Sequence, residues 1–221
     1  MSLEPRDHVK FEVLPTRTIG EAWFAVASDI MKNGRESRYD GLAIREVLMA
    51  TLVVEEPDDH DELIARYADP ERLAWMHANF VDHALVTALG DADSYATRLR
   101  NYDHRGRDQI AWVVERILAN PLTRSATIST FQPLTDSSDI PCVSLLDFFL
   151  DSGRLNLVVY AHSIDFGAKG YANLIELATL QLEVAKNVHS PIGSLTMIVK
   201  SAHVYATDFD YMQDVLSDKE H

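Results

Sequence analysis

The chain has 221 residues, an apolar fraction of 47% and a formal net charge of −14, which suits a single domain over residues 1–221 with a core of ordinary size. The acidic balance argues against a nucleic-acid partner, whose phosphates call for a basic face, although a few converging arginines can hold one phosphate. No apolar run approaches 18 residues and the N-terminus, Met1 to Asp7, is charged, so neither a membrane span nor a secretion signal is expected. One cysteine, Cys142, leaves no intramolecular disulfide and fits a reducing cytoplasm.

In chain order, Trp23, Val26, Ala27, Ile30 and Met31 have the spacing of an amphipathic helix over Ile19 to Asn33, closed by Gly34. A loop over Arg35 to Gly41 leads into a strand from Leu42 to Val54. The acidic stretch Glu55 to Glu62 reads as a solvated turn, with Pro57 and Asp58 as stop and cap. Two short helices follow, Glu62 to Tyr67 and Pro70 to Val81. Ser94 to Arg100 reads as a loop or short strand, and Asp108 to Leu118 as an amphipathic helix ending at Asn120-Pro121. The pattern then turns extended. Thr127 to Phe131 is β-branched, and Cys142 to Leu150 and Arg154 to Tyr160 flank the hairpin turn Asp151-Ser152-Gly153. Asn173 to Val188 is apolar over most of its circumference, which predicts a buried central helix. Leu195 to Val199 and Ala202 to Tyr205 return to strand. The class is α+β.

A lone thiol at the mouth of a strand is either buried filler or a nucleophile. The residues after Cys142 favour the second. Pro141-Cys142, a hairpin ending at Tyr160, then Ser163, Asp165, Asn173, and finally His203 and Tyr205 form an ordered set. That set resembles the thymidylate synthase and pyrimidine hydroxymethylase superfamily, with the flavour of its short archaeal-type members. The likeness is dense over residues 120–210 and thinner before them. It implies a thymidylate synthase-like fold, a large mixed β-sheet packed with helices, and a homodimer formed sheet to sheet.

The resemblance also implies a chemistry. Carbon 5 of a pyrimidine is too weak a nucleophile to take a one-carbon unit, and thiolate addition at carbon 6 turns the ring into an enolate that can. Cys142 is then the nucleophile of a cytoplasmic transferase in nucleotide biosynthesis. It acts as a methyltransferase or hydroxymethyltransferase on a uridylate, or as a hydroxymethyltransferase on a cytidylate. 5,10-Methylenetetrahydrofolate is the co-substrate. Asn173 reads the base and leans towards uracil, since an amide both donates and accepts. His203 and Tyr205, two apart on a strand and so on one face, match the pair that bonds the sugar. Ser163 matches a phosphate-contacting hydroxyl and Asp165 the pterin contact. Tyr95 matches a water-ordering tyrosine, and Glu62 the general acid/base. Arg124 matches an arginine that reaches the partner subunit's phosphate, and Arg38 one in an N-terminal loop. A guanidinium beside a thiolate depresses its pKa, so an arginine neighbouring Cys142 is expected.

The chain also departs from the family. His162 stands where a phosphate-binding arginine is expected, and histidine cannot make the bidentate fork. Ser125 replaces a second arginine, so Arg38, Arg98 or Arg100 would have to rebuild the clamp, or the substrate is not a 5′-monophosphate. Phe166 to Tyr171 replaces an apolar folate-facing run. Some sixteen residues follow Tyr205, fewer than the tail that closes over folate in longer members, which leaves room for water and a hydroxymethyl product. The alternative function is a nucleotide- or nucleoside-binding homologue with altered catalysis.

Overall fold

The computed structural model describes residues 13–39, 41–137 and 139–218; the expectation about the charged N-terminus lies outside them. The fold is a mixed sheet with helices on one side of it. β1 (Val13–Thr16) leads to α1 (Ile19–Asn33), whose N-cap Thr18 and Glu21 form a capping box. β2 (Arg35–Tyr39) and β3 (Leu42–Val54) pair antiparallel, so most of the expected loop at Arg35 is strand. Its polar, exposed side chains hid that, because an edge strand has no buried face to produce alternation. Gly34 closes α1 with φ −62°. It is needed for space, since a Cβ there would lie 2.3 Å from the Ile30 carbonyl oxygen.

α2 (Glu62–Tyr67) and α3 (Pro70–Val81) follow. Asp61, rather than Asp58, caps α2: one carboxylate oxygen accepts from the N–H groups of Leu63 and Ile64, and the other from Gly20 at the start of α1. A single buried carboxylate thus fastens two helix N-termini, where its charge is favoured. β4 (Leu85–Val86) and β5 (Ala92–Asp93) form a small hairpin ahead of α4 (Tyr95–Arg100) and α5 (Gln109–Ala119). The stretch from Ser94 is therefore a helix, not a loop or strand. Ser94 caps it, accepting from Thr97 N–H and donating to the Asp82 carbonyl.

β6 (Ala126–Ser129), β7 (Val143–Asp151) and β8 (Arg154–Ala161) make an antiparallel meander. β9 (Ile164–Asp165) precedes α6 (Gly170–Asn187), and β10 (Ile192–Tyr205) runs as one strand where the sequence suggested two. The chain ends, within the described residues, in α7 (Phe209–Asp218) against α1. The main sheet is ordered β1-β3-β10-β8-β7-β6, with β2 beside β3 and β9 beside β10. β1–β3 and β10–β8 are parallel and the remaining pairs on that path antiparallel.

The core lies between this sheet and α1 and α6. Trp23, fully buried, packs against Phe24 and Tyr171 and donates its indole N–H to the Phe166 carbonyl. That bond ties α1 to the turn between β9 and α6. Truncating such a residue typically costs about 3–5 kcal/mol. No helix among the described residues is long and apolar enough to cross a membrane.

Candidate active site

The site forms where one ladder breaks. β8 pairs with β10 as far as Ala161–Val199, and β9 resumes on the same side of β10 at Ile164–Ala202. His162 and Ser163 fall in the gap between the two, released from the ladder and free to face a cavity. On the other side of β8, the His162 N–H donates to the Cys142 carbonyl at 3.0 Å. The thiol is thereby set beside the gap, at the foot of β7. The cavity has a volume of about 450 Å³, the size of a small-molecule site.

Its sheet wall carries Cys142, His162, Ser163, Asp165, His203 and Tyr205; its helical wall carries Trp75, Tyr95, Arg98, Lys169 and Asn173. Nine of the residues singled out in the sequence therefore meet in one place: Cys142, Tyr95, Arg98, Asn173, His162, Ser163, Asp165, His203 and Tyr205. Tyr95 is fixed from three directions. Asn79 accepts from its N–H, Phe80 stacks on its ring, and its hydroxyl accepts from Val143 N–H at 3.0 Å. Burial holds that phenol well above its usual pKa, and a nearby Cys142 thiolate would raise it further.

The Cys142 side chain opens to solvent through the cavity, yet the surrounding protein raises its thiol pKa by desolvation. Lys169 opposes this shift, while Asp165 and Asp139 reinforce it. The one arginine among the described residues that lines the cavity is Arg98, and its guanidinium is committed to Asp136 at 2.8 Å and to the carbonyls of Asp93 and Thr130. Asp165 accepts through one oxygen from the N–H groups of Gly167 and Ala168. Burial first, and Asp208 second, push its carboxyl up to about 6.

Five buried side-chain atoms among the described residues have no hydrogen-bond partner, and three of them belong to cavity residues: His162 Nε2, Asn173 Oδ1 and His203 Nε2. Such atoms carry a desolvation penalty that a ligand can relieve. The Asn173 amide donates its other end to the Lys169 carbonyl at 3.0 Å, which fixes Oδ1 as the open acceptor. Burial keeps both imidazoles below the usual histidine pKa, so both are neutral at pH 7.

Four sequence-derived residues lie elsewhere. Glu62 is exposed on the first turn of α2 and does not line the cavity; Asp61 takes the inward, capping position, and the next residue turns outward. Arg38 is exposed on β2 and bonds the Gly41 carbonyl; strand alternation sends its neighbour Tyr39 to the cavity instead. Arg124 is exposed in the turn before β6, outside this cavity. Arg100 pairs with Glu183 at 2.5 Å, away from the cavity. The replaced run at Phe166 is core, with Phe166 and Tyr171 fully buried.

Sequence reasoning assigned no role to Tyr39, Trp75 or Lys169. Tyr39 packs on His203, with ring centroids 5.7 Å apart, and the Lys169 ammonium sits 5.0 Å from the Trp75 ring centre. Tyr39 escaped notice because β2 shows no alternation that would mark its inward residue. Nothing local marks Lys169.

A profile of the thymidylate synthase family matches residues 60–221. A Methanosarcina barkeri protein named "Putative thymidylate synthase" is 31% identical over 214 residues, covering 92% of this chain and 94% of that protein. A Methanosarcina acetivorans protein of the same name is 31% identical over 94% of this chain and 97% of its own. The deoxyuridylate hydroxymethyltransferase of Bacillus phage SP01 is 36% identical over 130 residues, covering 52% of this chain and 34% of that enzyme.

Proposed function

The chain belongs to the thymidylate synthase family of one-carbon transferases, and we propose that it adds a one-carbon unit to C5 of a pyrimidine nucleotide through a Cys142–C6 adduct. The observation that carries this reading is the set of three unpartnered buried polar atoms, from His162, Asn173 and His203, around the cavity that holds the thiol. Asn173 offers an acceptor and has one amide hydrogen to spare, which suits N3–H and O4 of a uracil ring. His203 and Tyr205, edge to face at 5.0 Å, offer polar atoms to a sugar.

In this mechanism Cys142 loses its proton to solvent and its sulfur bonds C6, sending the ring electrons to C5 and O4. Tyr95, anchored on Val143, holds its hydroxyl beside the thiol and orders water there. Departure of the C5 proton and expulsion of the thiolate restore the ring. When bound, methylenetetrahydrofolate would supply the one-carbon unit and, for a methyl product, the hydride that reduces it; for a hydroxymethyl product water would supply the hydroxyl. The chemistry of the lining supports this: the second oxygen of Asp165 would be an acceptor for ring N–H groups. Glu62, exposed and outside the cavity, has no part in this reading. The relatives' names keep two products in view, methyl and hydroxymethyl.

A homodimer is part of the proposal. Leu145, Phe149 and Tyr160 are each 36% exposed on β7 and β8, with Leu145 and Tyr160 directly cross-strand, a face suited to a second copy. Exposed Arg124 would serve the neighbouring site. One observation favours a second reading, a homologue that binds a nucleotide or nucleoside without turnover. His162 is neutral, and Arg98 and Arg100 are tied to carboxylates.

The test is tritium release from C5-labelled dUMP, UMP, dCMP, CMP and uridine, with and without methylenetetrahydrofolate, on protein whose mass in solution is read by sedimentation. We expect release from a uridylate by a dimer, reduced about 10³-fold or more in Cys142→Ser. Product mass separates methyl from hydroxymethyl. Binding without release from any substrate would transfer the case to the second reading.

A further inference from the structure

Two cations line the cavity among the described residues, Arg98 and Lys169. They differ in how far their charge is already used. Arg98 is 3% exposed and saturated by Asp136 and two backbone carbonyls. Lys169 has no carboxylate at ion-pair distance among the described residues; its ammonium rests on the Trp75 ring. The root of that side chain is fixed by the turn that builds the site. Its N–H donates to the Asp165 carbonyl, and its own carbonyl accepts from the N–H and side-chain amide of Asn173. A cation held on an indole face but unpaired keeps its field available to an anion formed nearby.

The groups that line the cavity with Cys142 define that anion's surroundings. From α4 come Tyr95 and the neutralised Arg98, and from β5 Asp93, which bonds His104. Its own loop supplies Asp139, and the end of β8 the neutral His162. β10 supplies neutral His203 and Tyr205, and β2 Tyr39. The turn between β9 and α6 brings Asp165 and Lys169. Aspartates therefore oppose a thiolate here, and Lys169 is the cavity charge that favours one.

We propose that Lys169, seated on the face of Trp75, is the counter-cation of the Cys142 thiolate, a positioning charge in the place where an arginine was expected. Loss of the thiol proton to solvent leaves a negative sulfur, and the ammonium stabilises it without accepting a proton itself. In the same way it lowers the Cys142 and Asp165 pKa values against their burial. The proposal builds on the reading of Cys142 as nucleophile, but thiol ionisation is measured without substrate, so the two ideas fail separately.

Cys142 is the only cysteine in the chain, so the pH dependence of alkylation by iodoacetamide reports on it alone. The wild-type protein would be compared with Lys169→Gln, Lys169→Arg and Asp165→Asn. We expect the midpoint to rise in Lys169→Gln, with alkylation at pH 7.5 slowed by about threefold or more. Lys169→Arg should restore it, and Asp165→Asn should lower the midpoint. If Lys169→Gln does not fold, Lys169→Met keeps the stem against Trp75 and takes its place. An unchanged midpoint in a folded Gln or Met variant would overturn the proposal, even if ligand binding were lost.

Discussion

Two buried polar clusters border the same cavity and are built on opposite terms. Around Arg98, donors and acceptors are matched: the guanidinium meets Asp136 and two backbone carbonyls, and Asp136 in turn accepts from the Gln132 N–H. Around His162, Asn173 and His203, one polar atom of each residue has no partner. Burial is therefore a poor guide to which polar residues meet a ligand. Satisfaction is the better one, because a matched group gains nothing further from a substrate and an unmatched one does.

Breaking the matched cluster should have the largest effect on folding. Arg98→Met leaves the Asp136 carboxylate buried and unpaired, and we expect a loss of about 3–5 kcal/mol in urea unfolding. A variant as stable as wild type would show that the pair is not structural. The unmatched cluster should behave in the opposite way. His203→Phe removes the orphan Nε2 at similar volume and, with Nδ1, only long 3.4 Å contacts to Ser163 Oγ and the Ser201 carbonyl, so thermal unfolding should stay within about 3 °C of wild type while nucleotide affinity falls about tenfold or more. Lost stability with unchanged affinity would erase the contrast.

The smallest effect sharpens the boundary between the clusters. The Asp165 carboxyl is raised from 3.8 to about 6, so between these values the folded state binds more protons than the unfolded one, and stability is lost as pH rises through that window. Asp165→Asn cannot ionise. Its melting temperature relative to wild type should climb by about 2–4 °C between about pH 4.5 and pH 5.5. A flat difference would mean that the carboxylate is better solvated than its setting implies.

Much of the fold could be read from local pattern. α1, β3, α2, α3 and the β7–β8 hairpin fall where periodicity and turn residues put them, because each has a buried face that shows in its own sequence. α4 was missed because a six-residue helix is too short to show a period, although its Ser94 cap was present. β2 was missed because an exposed edge strand has no buried face. Cys142, Asn173, His203 and Tyr205 were recognisable by their order, and the structure gathers them around one cavity. Glu62 lies outside that cavity, since whether Asp61 or Glu62 points inward depends on Gly20, some forty residues earlier in the chain.

The sequence by itself determined the class of fold, the family, and a set of ordered polar residues ahead of and behind one buried helix. These depend on spacing along the chain, which is a local quantity. The tertiary structure decided which charges are free. Arg98 and Lys169 are both cations in the sequence, but only folding brings Asp136 to one and Trp75 to the other. The field at Cys142 depends on distances between groups far apart in the chain, and no spacing rule encodes those.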